Sequence, residues 1–235
     1  MHAISYDFGE YVNGLGQVHY VTIDRHGKLV RDHIIDTPSR PMVHDCAITK
    51  NYVLIFDLPV TFNLGRRENE NNQAGGDYPV IWNDKHTSRV GLQSKKTDEI
   101  IWIEVNPGFL FHIVNSYENE NGQVVMDFCR YERLFDFENP LPMGQKPFLT
   151  RWILDPKTKT CSEEMLDDRP MEFSRVHPDY DGKQHRFGYL LNDGRLNNYF
   201  KHDFEKSETI THDFGEICQA CLLYTSDAAD DRCCG

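Results

Sequence analysis

Short apolar runs cut apart by turn residues dominate this chain. Val18-His19-Tyr20-Val21-Thr22-Ile23 and Leu29–Ile35 flank Asp24-Arg25-His26-Gly27, the wording of a β-hairpin. Residues 52–58 form a continuous apolar run, which predicts a strand buried on both faces. A polar insert over 63–76, rich in Gly, Asn and Glu, reads as a loop. Further strand pairs are predicted over 89–92 with 100–105, 109–116 with 123–130, 148–154 with 160–165, and 185–191 with 196–200. The turns between them are Lys95-Lys96-Thr97-Asp98, Glu120-Asn121-Gly122, Asp155-Pro156-Lys157 and Asn192-Asp193-Gly194.

An apolar i, i+3, i+4, i+7 pattern nowhere persists over three turns, and only 68–73 and 136–143 could hold a helical turn each. Hairpins at intervals of about eight to twelve residues predict an all-β fold: a sandwich, barrel or propeller. The uneven loops exclude a strict short repeat.

At 235 residues the chain can bury a real core, and 39% hydrophobic with 12% aromatic residues suit a folded protein. A net charge of −12 argues against a nucleic-acid backbone as the main partner. No run of 18 apolar residues exists, and the segment from Met1 to Phe8 lacks the basic start and apolar stretch of a signal peptide. The reading predicts a cytoplasmic protein whose seven cysteines are mostly thiols.

The C-terminal stretch stands apart. Cys221-Leu222-Leu223-Tyr224-Thr225-Ser226 matches one reading frame of the adaptor used in transposase-made sequencing libraries. Residues 221–235 are therefore expected to be an artefact without structure, leaving 1–220 as the domain. Removing Asp227, Asp230, Asp231 and Arg232 leaves the chain strongly acidic.

Two histidines carry the candidate chemistry. His44 lies in Pro41-Met42-Val43-His44-Asp45-Cys46-Ala47-Ile48-Thr49, and His112 in Phe111-His112-Ile113-Val114-Asn115-Ser116-Tyr117-Glu118. Each opens or interrupts a strand-like segment, and a rigid strand end is a good holder for a metal-binding imidazole. Most histidines beside strands are structural, so the surrounding wording decides. His202 and His212 share a His-Asp-Phe word that resembles His44-Asp45-Cys46, and the local sequence does not rank the three. His26, His86 and His177 read as solvated loop residues, and no cysteine among 46, 129, 161 and 218 has a nucleophile's context.

These segments resemble the carotenoid cleavage oxygenase family, which includes the lignostilbene dioxygenases. The likeness rests on ordered blocks: His2–Asp7, Met42-Val43-His44-Asp45 with Ala47-Ile48-Thr49 and Asn51-Tyr52, residues 102–117, residues 124–130, and Met171-Glu172-Phe173. They cover nearly all of the chain up to about residue 215. The resemblance implies an incomplete portion of a seven-bladed β-propeller with non-haem Fe(II) on its axis. Four histidines hold that iron, and supporting glutamates stand behind them. O₂ then splits a carbon–carbon double bond of a carotenoid, apocarotenoid or stilbene into two carbonyl products.

Carried over by motif, His44 matches the second iron histidine, His112 the third, and Glu172 a supporting glutamate ahead of a Phe. Ser174 stands where the family usually has proline, which leaves the backbone at Glu172 freer, and Cys46 replaces a residue more often aromatic. The first histidine is expected upstream of Met1 and the fourth beyond the adaptor-like tail, so the chain alone is expected to be inactive. Neutral imidazoles suit Fe(II), and a carboxylate behind an imidazole fixes its tautomer. Phe109, Phe111 and Trp102 are candidate walls for an apolar substrate, although aromatic residues in strands are more often core. Expected partners are O₂ and the apolar polyene or stilbene, not nucleic acid, with room for peripheral membrane contact by the full-length parent. A non-catalytic propeller used as a binding scaffold is the competing reading. Retinoid-type isomerisation on the same iron ranks third.

Overall fold

The computed structural model describes residues 1–7, 17–62, 80–136, 145–192 and 196–215. The expected loop over 63–76, both helical turns except Asp136, the turn at 193–194 and the adaptor-like tail lie outside them. The described residues are all-β, as the hairpin pattern predicts, apart from one 3-10 turn at Pro178–Tyr180. The first strands are β1 His2–Asp7, β2 Gln17–Ile23, β3 Leu29–Ile35, β4 Ala47–Ile48, β5 Tyr52–Asp57 and β6 Val60–Phe62. Next come β7 Val80–Trp82, β8 Arg89–Ser94, β9 Ile100–Glu104, β10 Phe109–Glu118 and β11 Val124–Tyr131. The last are β12 Phe148–Asp155, β13 Thr160–Arg175, β14 Phe187–Asn192, β15 Asn198–Asp203 and β16 Glu208–Asp213.

Two compact units divide the chain. One holds the described residues of Met1–Cys46, Asn51–Phe109 and Arg133–Pro142. Here β1, β2 and β3 form an antiparallel meander, closed at its second turn by Asp24. The Asp24 carboxylate accepts the N–H groups of His26 (2.8 Å) and Lys28 (3.0 Å), and Gly27 supplies the positive φ of 80°. Strand β5, buried along almost its whole length as expected, pairs with β8, which pairs with β9. Strands β6 and β7 form a separate pair. Asp57, 1% exposed, anchors this unit: Arg89 Nε donates to it at 2.7 Å while the guanidinium covers Trp102, 3.9 Å from the ring centre. His86 was expected to be solvated, but its ring is 3% exposed and its Nε2 lies 3.0 Å from Asp57 Oδ1 and from the Asp57 carbonyl. Burial works against protonating that ring, but its hydrogen bonds to Asp57 outweigh the burial and raise its pKa.

The other unit holds the described residues of Ala47–Lys50, Leu110–Glu132 and Met143–Gly235. Its strands β10 to β16 lie side by side in chain order. Strand β13 is 16 residues long because it serves two ladders: Thr160 to Pro170 pair with β12, and Met171 to Arg175 pair with β14. The sheet thus reads as two four-stranded meanders sharing β13, the size of a propeller blade. The apolar core between them is Val114, Cys129, Leu149, Met171, Leu190 and Phe200. Packing here is tight enough that a Cβ at Gly188 would come within 2.9 Å of both Val114 and Phe204.

A polar hub is buried beside that core. Asp127, fully buried, takes both Nε (2.7 Å) and a terminal nitrogen (2.9 Å) of Arg151. Asn115 donates to the carbonyls of Tyr180 (2.9 Å) and Lys183 (2.8 Å) and accepts from Gly182 N–H (3.1 Å). His185 lies against this hub, its Nδ1 3.2 Å from Asn115 Nδ2 and its Nε2 3.5 Å from Asp127 Oδ2. Its ring is 1% exposed; burial, then the charge of Arg151 and the nearby His202, push its pKa down to about 4.

The sign of that depression gives a prediction. Below about pH 6.5 the unfolded chain takes up a proton that folded His185 refuses, so its stabilisation is complete above 6.5 and is lost towards pH 4. Urea unfolding is expected to show about 2 kcal/mol less stability at pH 5 than at pH 7 from this residue alone. His185→Gln is expected to remove that part of the slope while lowering stability at pH 7. An unchanged slope in the variant would refute the assignment.

Candidate metal centre

The shared strand β13 and its neighbour β10 position the best-defined pair. His112 is the fourth residue of β10, and its Nδ1 lies 2.5 Å from Glu172 Oε2. The carboxylate side chain is 2% exposed, whereas the imidazole keeps 19% of its surface. Glu172 Oε2 also accepts the backbone N–H of Phe173 at 2.5 Å, and the Phe173 ring lies against the imidazole with centroids 5.0 Å apart. Oε1, also buried, has no hydrogen-bond partner among the described residues.

The backbone explains why the amide turns onto the carboxylate. Glu172 is the second residue past the point where β13 changes partners, and the ladder then skips from Glu172 to Arg175. Phe173 within this bulge has φ 55°, a left-handed conformation uncommon for any residue but glycine. Its N–H therefore leaves the ladder and is satisfied by the side chain one residue back. Ser174, where proline is usual in the resembling family, is fully buried, and its Oγ has no hydrogen-bond partner among the described residues.

A neutral imidazole that donates Nδ1–H to a carboxylate presents its Nε2 lone pair on the opposite edge of the ring. Carboxylate, imidazole and an outward nitrogen in that order are the donor arrangement of a metal-ligating histidine. The His112–Glu172 pair therefore fits a divalent metal. Among the described residues, no group of three or more His, Cys, Asp or Glu side chains is gathered as a complete metal cage.

His44 lies outside any strand, three residues ahead of β4, and its side chain is exposed. The approach to it is tied down by β6: Phe62 N–H donates to Arg40 O at 2.9 Å and Met42 N–H to Val60 O at 2.7 Å. Beyond it, Asp45 Oδ1 accepts Cys46 N–H at 2.8 Å. His44 belongs to the first unit, and His112 and Glu172 to the second. Of the three sequence candidates, the structure joins Glu172 to His112 and describes His44 within its own unit.

The remaining candidates are structural. Phe109, 1% exposed, packs edge-on against Phe135; Phe111 meets Tyr131 in the same way; Trp102 carries the Arg89 guanidinium. His177 caps the 3-10 turn by accepting Asp179 N–H, so it is less solvated than expected. His26 is exposed in its turn, as expected. Burial, then the neighbouring Asp45 charge, pushes the Cys46 thiol up to about 11, and burial with Glu163 pushes Cys161 to about 12. Neither is a thiolate nucleophile near neutral pH. His185 was missed as a buried polar group because its partner Asn115 lies 70 residues earlier, and its local wording carries no sign of it.

Comparison with known proteins places this geometry in context. The family described as RPE65, retinal pigment epithelial membrane protein, matches residues 1–229. A carotenoid cleavage oxygenase of Mycobacterium tuberculosis is 30% identical over 230 residues, covering 81% of this chain and 45% of its own length. Resveratrol cleavage oxygenase 1 of Chaetomium globosum is 27% identical over 196 residues, covering 70% and 32%. The crystal structure of cobalt-substituted apocarotenoid oxygenase from Synechocystis superposes with a TM-score of 0.72 at 24% identity, covering 91% of this chain and 46% of that one. The likeness shows the fold: the chain carries part of that β-propeller. It spans less than half the length of the relatives it matches.

The Glu172 contact predicts a measurable tautomer. Nitrogen NMR of histidine-labelled chain is expected to find the His112 proton on Nδ1, and Glu172→Ala is expected to move it mainly to Nε2. A wild-type ring already protonated on Nε2 would contradict the pairing.

Proposed function

The chain belongs to the retinal pigment epithelial membrane protein family, the carotenoid cleavage oxygenases, and from that premise we propose that the whole protein is a non-haem Fe(II) dioxygenase. Its reaction adds the two atoms of O₂ across one carbon–carbon double bond of a carotenoid, apocarotenoid or stilbene. The bond breaks, and each carbon becomes a carbonyl. Relatives named for cleaving carotenoids and resveratrol support this substrate range, and the cobalt-substituted relative supports a divalent metal. Iron, when bound, supplies the activation of O₂.

The observation that carries the reading is the 2.5 Å contact between His112 Nδ1 and the buried Glu172 carboxylate. Glu172 keeps the proton on Nδ1, so that Nε2 is held ready as a ligand. It also brings negative charge close behind the ring, which offsets part of the charge of a dication held by neutral imidazoles. Phe173 adds a ring contact to the imidazole and its backbone N–H to the carboxylate. His44 would offer a second imidazole. Both nitrogens are intermediate donors suited to Fe(II), and neither consumes the charge that a carboxylate ligand would.

The test uses the complete protein. Loss of His112 is expected to abolish iron retention, and Glu172→Gln to weaken it roughly 10- to 100-fold, with turnover falling in parallel. With ¹⁸O₂, both carbonyl products should carry label. Full iron retention by His112→Ala would overturn the assignment and favour a binding scaffold instead.

A further inference from the structure

His44 sits between strands, in a stretch outside any strand ladder. The β6 contacts stop at Met42, and β4 begins only at Ala47. Between these anchors one side chain reaches in from another strand. Tyr6, on β1, accepts the backbone N–H of Val43 at its hydroxyl oxygen and donates its O–H to Val43 O at 2.6 Å. Both backbone groups of the residue preceding His44 thus meet one hydroxyl, 37 residues away in sequence. The ring itself is fixed by Phe62, which it meets edge-on with centroids 5.4 Å apart.

We propose that Tyr6 is a positioning residue for His44: its hydroxyl clamps the Val43 peptide groups and so sets where the His44 imidazole can reach. The inference rests on the reading of His44 as a metal ligand. Two hydrogen bonds from one rigid phenol fix both a peptide N–H and a carbonyl, which removes rotation on each side of Val43. A ligand whose neighbouring backbone is fixed beforehand does not have to be ordered by the metal itself at the expense of affinity. The clamp does that ordering in advance.

Hydrogen exchange and Co(II) equilibrium dialysis on the full 235-residue chain test this together. In the wild type, the Val43 amide is expected to be protected despite lying in no strand; an unprotected amide overturns the clamp without any variant. Tyr6→Phe keeps the ring on Phe62 and removes only the hydroxyl. It is expected to speed exchange over residues 43–45 and to weaken Co(II) binding about tenfold. Tyr20→Phe serves as control, since it strips a hydroxyl from the same sheet, where its partner is His2 at 2.7 Å. It should leave both readouts unchanged. Faster exchange in Tyr6→Phe with unaltered Co(II) affinity would make Tyr6 a plain structural tether and overturn the proposal. His44→Ala separates the two failures: if it does not weaken Co(II) binding, the ligand reading falls, and the positioning role falls with it.

Discussion

The buried carboxylate of Glu172 sets the terms for the structure around it. A carboxylate with 2% of its side chain exposed is costly unless hydrogen-bonded, and the charge-assisted contact to His112 with the Phe173 amide supplies that bonding at one oxygen. The amide is available because β13 is changing partners at this point. A regular strand would have committed that N–H to its neighbour. The long strand therefore has to bulge where it does, and Phe173 has to adopt its left-handed conformation, for one carboxylate to be held against one imidazole. Pro170, which lacks an N–H, lies where β13 leaves β12, so the handover sacrifices little ladder bonding.

Around that point the second unit divides its work between apolar and polar packing. Six buried residues from β10, β11, β12, β13, β14 and β15 form the core, and none of them carries charge. The hub of Asp127, Arg151, Asn115 and His185 ties β10, β11 and β12 to the 3-10 turn and the approach to β14. Asn115 is three residues beyond His112 on the same strand, so the hub also holds the strand that carries the ligand. The first unit repeats the device with Asp57 and Arg89, this time adding a histidine that favours the charged form. Burial is the largest influence at His185; at His86, direct bonding to the carboxylate prevails.

Much of this was legible in the sequence where turn chemistry was strong. Asp24 with Gly27, and Asn121 with Gly122 at φ 76°, mark hairpins that the structure forms. The continuous run of β5 correctly announced burial on both faces. The 16-residue β13 was not legible as one strand, because Asp167, Asp168, Arg169 and Pro170 look like a loop. Their polarity is explained by side-chain bonding at the sheet's edge: Arg169 pairs with Asp167, which also accepts Thr209 Oγ1 at 2.6 Å. Strand β16 was equally hidden, since Glu208–Asp213 is polar and lies at the end of the sheet. At the site, the family resemblance pointed to Glu172 and His112, and the structure brings these two into contact. No local pattern in the sequence announced Tyr6, whose partner is a backbone 37 residues away.

The repeated His-Asp-Phe word shows how a local motif can imitate a ligand. In His202-Asp203-Phe204 the phenylalanine ring lies edge-on to the histidine at 4.6 Å, and Asp203 Oδ1 accepts the N–H groups of Glu205 and Lys206. In His212-Asp213-Phe214 the ring pair recurs at 4.6 Å, and Asp213 Oδ1 accepts Gly215 N–H. The word therefore encodes a strand ending: the aspartate caps the turn, and the phenylalanine packs back on the histidine. His202 is also engaged by Thr209, 2.7 Å from its Nδ1. At His44-Asp45-Cys46 the phenylalanine is absent, and Asp45 accepts the N–H of the very next residue, Cys46. The ring that would hold the imidazole in the strand-end arrangement is not there. Tyr6, from outside the segment, bonds both backbone groups of the preceding residue, Val43, through a single hydroxyl.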